Sequence, residues 1–213
     1  MPNPETAVAN FKLARKHYNI VKSLIEELSS LAQAKQVDFS YEKAMQNFDL
    51  LLQSILLRTA VEDGCFQSEE RQFIEKLTDY ADLMTYVLNN TDIDVSWDSF
   101  SSLGNEKQKD LSLDIFVVLD DLVNDFVFPF ASIAAALPKD YCEEITTAMI
   151  KISACLAGCD SDDMDSKNFK NETIVAFALI KKSIKEKWSA TTNKTKSTQQ
   201  TICDYYHGKT LQE

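Results

Sequence analysis

Glycine and proline are scarce, with only 4 of each in 213 residues. That scarcity disfavours fold classes built on repeated tight turns and nucleotide sites built on glycine-rich phosphate cradles. Basic charge is also in short supply. Lys and Arg number 22 against 33 Asp and Glu, a net charge of -11. A protein that binds duplex nucleic acid needs the opposite balance to displace counterions, so nucleic acid is excluded as a partner class. The 2 histidines, His17 and His207, sit at opposite ends of the chain, which leaves little for a histidine-based triad or a soft-metal cluster. No apolar run reaches the length of a membrane span. The longest candidate, Phe126 to Pro138, is short and contains two prolines, so it reads as a buried helix with a break rather than a transmembrane segment. The opening stretch MPNPETAVANFKLARKH lacks the long apolar core of a signal peptide, and a cytoplasmic address is expected. Nothing in the sequence speaks for or against contact with a membrane surface. The 5 cysteines (Cys65, Cys142, Cys155, Cys159 and Cys203) are odd in number, and the chain is long enough to form a core without staples. Free, buried thiols are expected.

What remains is rich in helix formers, with apolar residues at spacings of three and four. A first helix is predicted from Pro4 or Glu5 to about Gln33, burying Val8, Phe11, Leu13, Ile20, Leu24, Ile25, Leu28 and Leu31. A second runs from about Ser40 to Val61, with Asp38 or Ser40 as its cap. Its LLLQSILL run is apolar almost all round, which places it centrally. Gly64 is a natural left-handed stop. A third begins at Ser68 as N-cap and continues through Phe73, Ile74, Leu77, Tyr80, Ala81, Met84 and Val87. Residues 89–109 are polar and broken, with a short helix around VSWDSF. A fourth helix starts near Asp110, is richly apolar from Leu111 to Phe128, kinks at Pro129 and extends to Pro138. A fifth spans about Lys139 to Ala157 and a sixth about Asn168 to Trp188. The expectation is an all-α fold, a compact bundle of six to eight helices in one domain over residues 1–190. A polar, loosely ordered tail over 191–213 follows.

Two segments echo one another. Ala60-Val-Glu-Asp-Gly-Cys65 and Ala154-Cys-Leu-Ala-Gly-Cys159 share Ala, Gly and Cys in register, each follows a helix, and each precedes an acidic helix start. The echo suggests two pseudo-symmetric helical hairpins, with the alanines at close helix crossings. Here the chain resembles the TerB-like family of tellurite-resistance proteins. Ala60, Asp63, Gly64, Glu69 and Glu70 reproduce its signature of an apolar helix, Ala-x-x-Asp-Gly, four residues, Glu-Glu and another helix. The resemblance covers about Phe48 to Tyr80, with a weaker echo over Met149 to Ile180. It implies an all-helical pseudo-symmetric bundle, an association with stress response and tellurite resistance, and acidic loop residues proposed to hold a divalent metal. The second segment departs from the signature by carrying Ala157 where the first has Asp63.

Two candidate sites follow. Asp63, Glu69 and Glu70, joined by Asp160, Asp162 and Asp163 if the halves pack symmetrically, could supply oxygen ligands to calcium, magnesium or manganese. The competing reading gives Asp63 a turn-closing role and the other acids to helix N-termini. No cofactor is certain, and the Asp160–Asn171 run is not a calcium hand, because it lacks the central glycine and the final glutamate. The second site is an acidic stripe. Asp110, Asp114, Asp121 and Asp125 fall within an arc of roughly 60° on one continuous helix, and no Lys or Arg interrupts residues 110–125. Like charges at i,i+4 weaken a helix slightly. Either this is simply the solvated face, or it docks a basic protein partner.

Enzyme chemistry is not expected. No serine has a nucleophile setting, no Gly-rich loop follows a strand, and the Glu-x-x-His pairs of a di-iron bundle are missing. The expectation is a non-enzymatic interaction or stress-response module, with a metal-binding or metal-sensing protein as the alternative.

Overall fold

The computed structural model describes residues 4–34, 40–64, 66–135, 137–158 and 167–193. Among them the regular secondary structure is all helical, with no strand. α1 spans Pro4–Ala34, α2 Tyr41–Ala60, α3 Ser68–Leu77, α4 Leu83–Asn90, α5 Trp97–Ser101, α6 Asn105–Val118, α7 Asp120–Ala134, α8 Tyr141–Ala157 and α9 Lys167–Ile180. A π-helical stretch, Lys181–Glu186, carries α9 onward in helical conformation to residue 193.

The apolar run in α2 makes it the axis of the bundle. Phe48, Leu50, Leu51, Leu52, Ile55, Leu56 and Leu57 are all buried, on every side of the helix. α1, α3, α4, α6, α7, α8 and α9 all pack against it. Each such leucine or isoleucine contributes about 1.5–3 kcal/mol by leaving water. Ser40 caps α2 by accepting from the Lys43 amide at 3.3 Å. α1 lies mainly along α8, and the Asn10 amide donates to the Gly158 carbonyl at 2.8 Å. A run of ring contacts crosses the core from α1 to the α9 extension: Tyr18–Phe48 at 6.2 Å, Phe48–Phe126 at 5.6 Å, Phe126–Phe130 at 4.8 Å and Phe130–Trp188 at 6.4 Å. Such pairs add about 0.5–1.5 kcal/mol each beyond the area they bury.

The structure corrects several expectations. The third predicted helix is two helices, because α3 stops at Leu77 and Thr78 is extended. Its N-cap is Gln67 rather than Ser68, with the Glu70 carboxylate accepting from the Gln67 amide at 2.9 Å. The predicted fourth helix starts earlier, at Asn105, and divides at Leu119, whose backbone (φ -91, ψ 2) separates α6 from α7. Pro129 sits inside α7 without ending it. On α1, Val8, Leu13 and Ile20 face solvent instead of the core. The two echoing joints also differ. Gly64 is left-handed at φ +85, whereas Gly158 is right-handed at φ -88. Ala60 is fully buried, while Ala154 is only half-buried. Cys65, Cys159 and Cys203, and the tail beyond residue 193, lie outside the described residues.

Candidate functional site

The helix joint at Ala60–Glu70 is built for geometry. Val61 caps α2, and the Gly64 amide donates to the Val61 carbonyl at 3.2 Å. The left-handed Gly64 then turns the chain back, a conformation that costs a residue with a side chain about 1–2 kcal/mol. Arg58 reaches Glu62 at 2.7 Å. Lys109 of α6 donates to the Glu62 carbonyl at 2.8 Å, which ties α6 to the joint. Of the candidate metal ligands, Asp63 is half-buried and Glu69 is exposed. Ser68 donates to Glu69 at 2.8 Å. Glu70 is fully buried, with one carboxylate oxygen used on the Gln67 amide. Asp160, Asp162 and Asp163 lie outside the described residues. Among the described residues no three carboxylates, histidines or cysteines gather closely enough to hold an ion.

The acidic stripe is present in altered form. Because the chain turns at Leu119, Asp110 and Asp114 belong to α6 and Asp125 to α7, and all three are exposed. The Asp121 side chain is outside the described set. The face also carries something the charge pattern alone does not reveal. Leu113 is 48 % exposed, Val117 61 %, Val118 45 % and Phe128 46 %. Within α6, steps of three and four residues link Leu113, Val117 and Val118 to Asp110 and Asp114, so this helix presents an outward face of mixed carboxylates and large apolar side chains, and on α7 Asp125 and Phe128 are likewise three residues apart. The inward face of α6 is anchored by Gln108, Ser112 and Ile115, all buried, and Gln108 donates to the Phe100 carbonyl at 3.1 Å.

Sequence reasoning missed the densest polar cluster. Asp49, in the middle of apolar α2, is fully buried. One of its carboxylate oxygens accepts from the Tyr18 hydroxyl at 2.9 Å. The other accepts from the Asp79 amide at 3.1 Å and the Tyr80 amide at 2.7 Å. Burial pushes its pKa up to about 6, against the pull of these hydrogen bonds. One turn on, Gln53 donates to Thr78 and to the Ala81 carbonyl, and accepts from the Leu83 amide at 2.7 Å. Arg15 pairs with Asp79 and donates to the Leu77 carbonyl, and Lys22 reaches Asp79 at 3.4 Å. Burial would raise Asp79, but these two cations outweigh it and hold the carboxyl below its ordinary range. The available signal was a lone Asp and a lone Gln at i,i+4 within an apolar run. The thiols of Cys142 and Cys155 are buried, and burial pushes them up to about 12 and about 11.

No helix among the described residues is long and apolar enough to cross a membrane. No family model, curated protein or solved structure matches this chain.

Proposed function

We propose that the chain is an interaction module, not an enzyme, whose α6–α7 face docks a basic amphipathic helix. The observation that carries this reading is the exposure of Leu113, Val117 and Val118 among Asp110 and Asp114 on one face of α6, with Asp125 and Phe128 exposed on α7 beyond it. Apolar side chains of this size at helical spacing are the anchors of helix-on-helix recognition, and the carboxylates select a partner of opposite sign. The densest group of titratable side chains, around Asp49, is spent on backbone amides, which supports a structural rather than a catalytic use. A cytoplasmic setting and a stress-response context rest on the sequence pattern and on the TerB-like resemblance of Ala60–Glu70.

The test is fluorescence anisotropy with a labelled synthetic helix carrying leucines at i, i+3, i+4 and i+7 and flanking lysines. Binding is expected to weaken about tenfold or more in Asp110→Lys/Asp114→Lys, and also to weaken in Val117→Ser. It is expected to fall with salt as the charges are screened. Binding that neither variant alters would remove the docking face.

A further inference from the structure

A basic amphipathic helix that fits this face is present in the molecule itself. Between Glu5 and Glu26 the sequence of α1 has no acidic residue, while Lys12, Arg15, Lys16, His17 and Lys22 are basic, in a chain of net charge -11. Arg15 and Lys22 turn toward Asp79. Lys12 and Lys16 are exposed, and so are Val8 (54 %) and Leu13 (46 %) beside them. At about 100° per residue, Lys12 and Lys16 lie near the centre of this outward face, with Val8 and Leu13 on its two flanks.

The exposed residues of α6 repeat this arrangement in reverse, with the charge inverted. On α1 the order is Val8, Lys12, Leu13, Lys16. On α6 it is Asp110, Leu113, Asp114, Val118. Each step along one helix is matched by the same step read backwards along the other. Laid antiparallel, α1 of one copy sets Lys12 level with Asp114 and Lys16 level with Asp110 of another, each pair of like residues being about 6 Å apart along its own axis. Val8 then shares a level with Val118 and Leu13 with Leu113, the two members of each couple lying on opposite flanks of the charged centre. Ala9, small and exposed, falls level with Val117, the most exposed apolar residue of the α6 face. Beside Val8, a groove of about 430 Å³ between α1 and α3, whose lining includes Phe11, Phe73, Lys12, Lys76 and the exposed Glu69, leaves room for a partner's apolar side chain.

We propose that a second copy of this chain occupies the α6 face, through its α1 lying antiparallel with Lys12 and Lys16 against Asp114 and Asp110. The proposal rests on the docking reading above and names its partner. Each copy carries both faces, so the contact is heterologous. The shared net charge opposes association at long range. At physiological salt, charges more than about 8–10 Å apart are screened, while the facing Lys and Asp side chains lie closer than that. Two helical turns form a small contact, so the association is weak and concentration-dependent.

Sedimentation velocity and light scattering at physiological salt test it. The wild-type mass is expected to rise above the 24.1 kDa monomer with concentration. Lys12→Glu/Lys16→Glu and Asp110→Lys/Asp114→Lys should each associate at least about tenfold more weakly on their own. Mixed in equal amounts, the two variants should associate again, because the reversed α1 then meets a reversed α6. All four substitutions are at exposed positions, and circular dichroism checks that the variants stay folded. A wild type that stays monomeric at millimolar concentration overturns the proposal, as does a mixture that stays monomeric. If the wild type is monomeric while its α6 face still binds the basic synthetic helix, the self-contact falls and the docking reading stands.

Discussion

Asp49 shows how much one buried side chain can organise. Its two oxygens satisfy the Tyr18 hydroxyl and the amides of Asp79 and Tyr80, all from segments distant in sequence. Asp49→Leu would fit the apolar surroundings but leave the Tyr80 amide without its acceptor and the Asp79 amide with only the Tyr18 hydroxyl at 3.2 Å. It is expected to lower unfolding stability by about 2–4 kcal/mol in urea titration. Asp49→Asn is expected to stay folded with a much smaller loss, since its carbonyl can accept both amides and its amide can donate to Tyr18. The pair also reports the ionisation. The Asp49 carboxyl rises from 3.8 to about 6 in the folded chain because it is buried. Between those values the folded state holds the proton more tightly than the unfolded state. The resulting stabilisation is present below about pH 4 and is lost as pH rises through about 6. The stability of wild type relative to Asp49→Asn should therefore increase, by up to roughly 3 kcal/mol, on acidification from pH 7 to 4. A difference that stays flat with pH would show that the carboxyl ionises at the same pH in both states.

At the scale of elements, the joint and the acidic helix make opposite predictions. Gly64 has φ +85, and an added Cβ would stand 3.4 Å from the Asn105 side chain, at ordinary contact distance. The cost of Gly64→Ala is therefore conformational, about 1–2 kcal/mol, and should appear as a lower melting temperature with the fold retained. In α6, Asp110 and Asp114 repel each other one turn apart, both exposed. Asp114→Asn should stabilise the protein by about 0.2–0.5 kcal/mol while weakening binding of the basic helix. A substitution that raises the melting temperature and lowers affinity would separate a docking role from a structural one. A change in neither quantity would leave those aspartates as plain solvated surface.

For the whole molecule, the dominant electrostatic fact is the excess of 33 acidic over 22 basic residues. Self-repulsion in the compact state opposes folding, and salt screens it. Exposed pairs such as Arg71–Asp98 at 2.6 Å and Lys139–Glu27 at 2.8 Å pull the other way, but surface pairs contribute only about 0–1 kcal/mol each. The melting temperature measured by calorimetry is therefore expected to rise from low to moderate monovalent salt. A fall would mean that the ion pairs outweigh the net charge.

The sequence by itself determined the helical class, the central place of α2, the left-handed turn at Gly64 and the short helix at Trp97–Ser101, and it narrowed the α2 cap to Asp38 or Ser40. These follow from local rules of period, capping and glycine stereochemistry, which act within a few residues. It did not determine where the third and fourth predicted helices break. Phe73, Ile74, Leu77, Tyr80, Ala81, Met84 and Val87 keep helical period straight through Thr78–Asp82, but the buried Asp49 and Gln53 take the amides of Asp79, Tyr80 and Leu83 and hold that segment open. Side chains from another helix replace the hydrogen bonds the local helix would have made, and only tertiary contact can do that. The same holds for the faces. Periodicity assigned Val8, Leu13 and Ile20 to the core because it registers apolar spacing and not the direction in which the neighbouring helix lies. α1 packs along α8 and α2 on its other side and leaves these residues outward. On α6 the aspartates were visible in the sequence, but Leu113, Val117 and Val118 gained their meaning only when packing left them in solvent beside the carboxylates. Burial is a property of where neighbours stand, and the tertiary arrangement alone sets that.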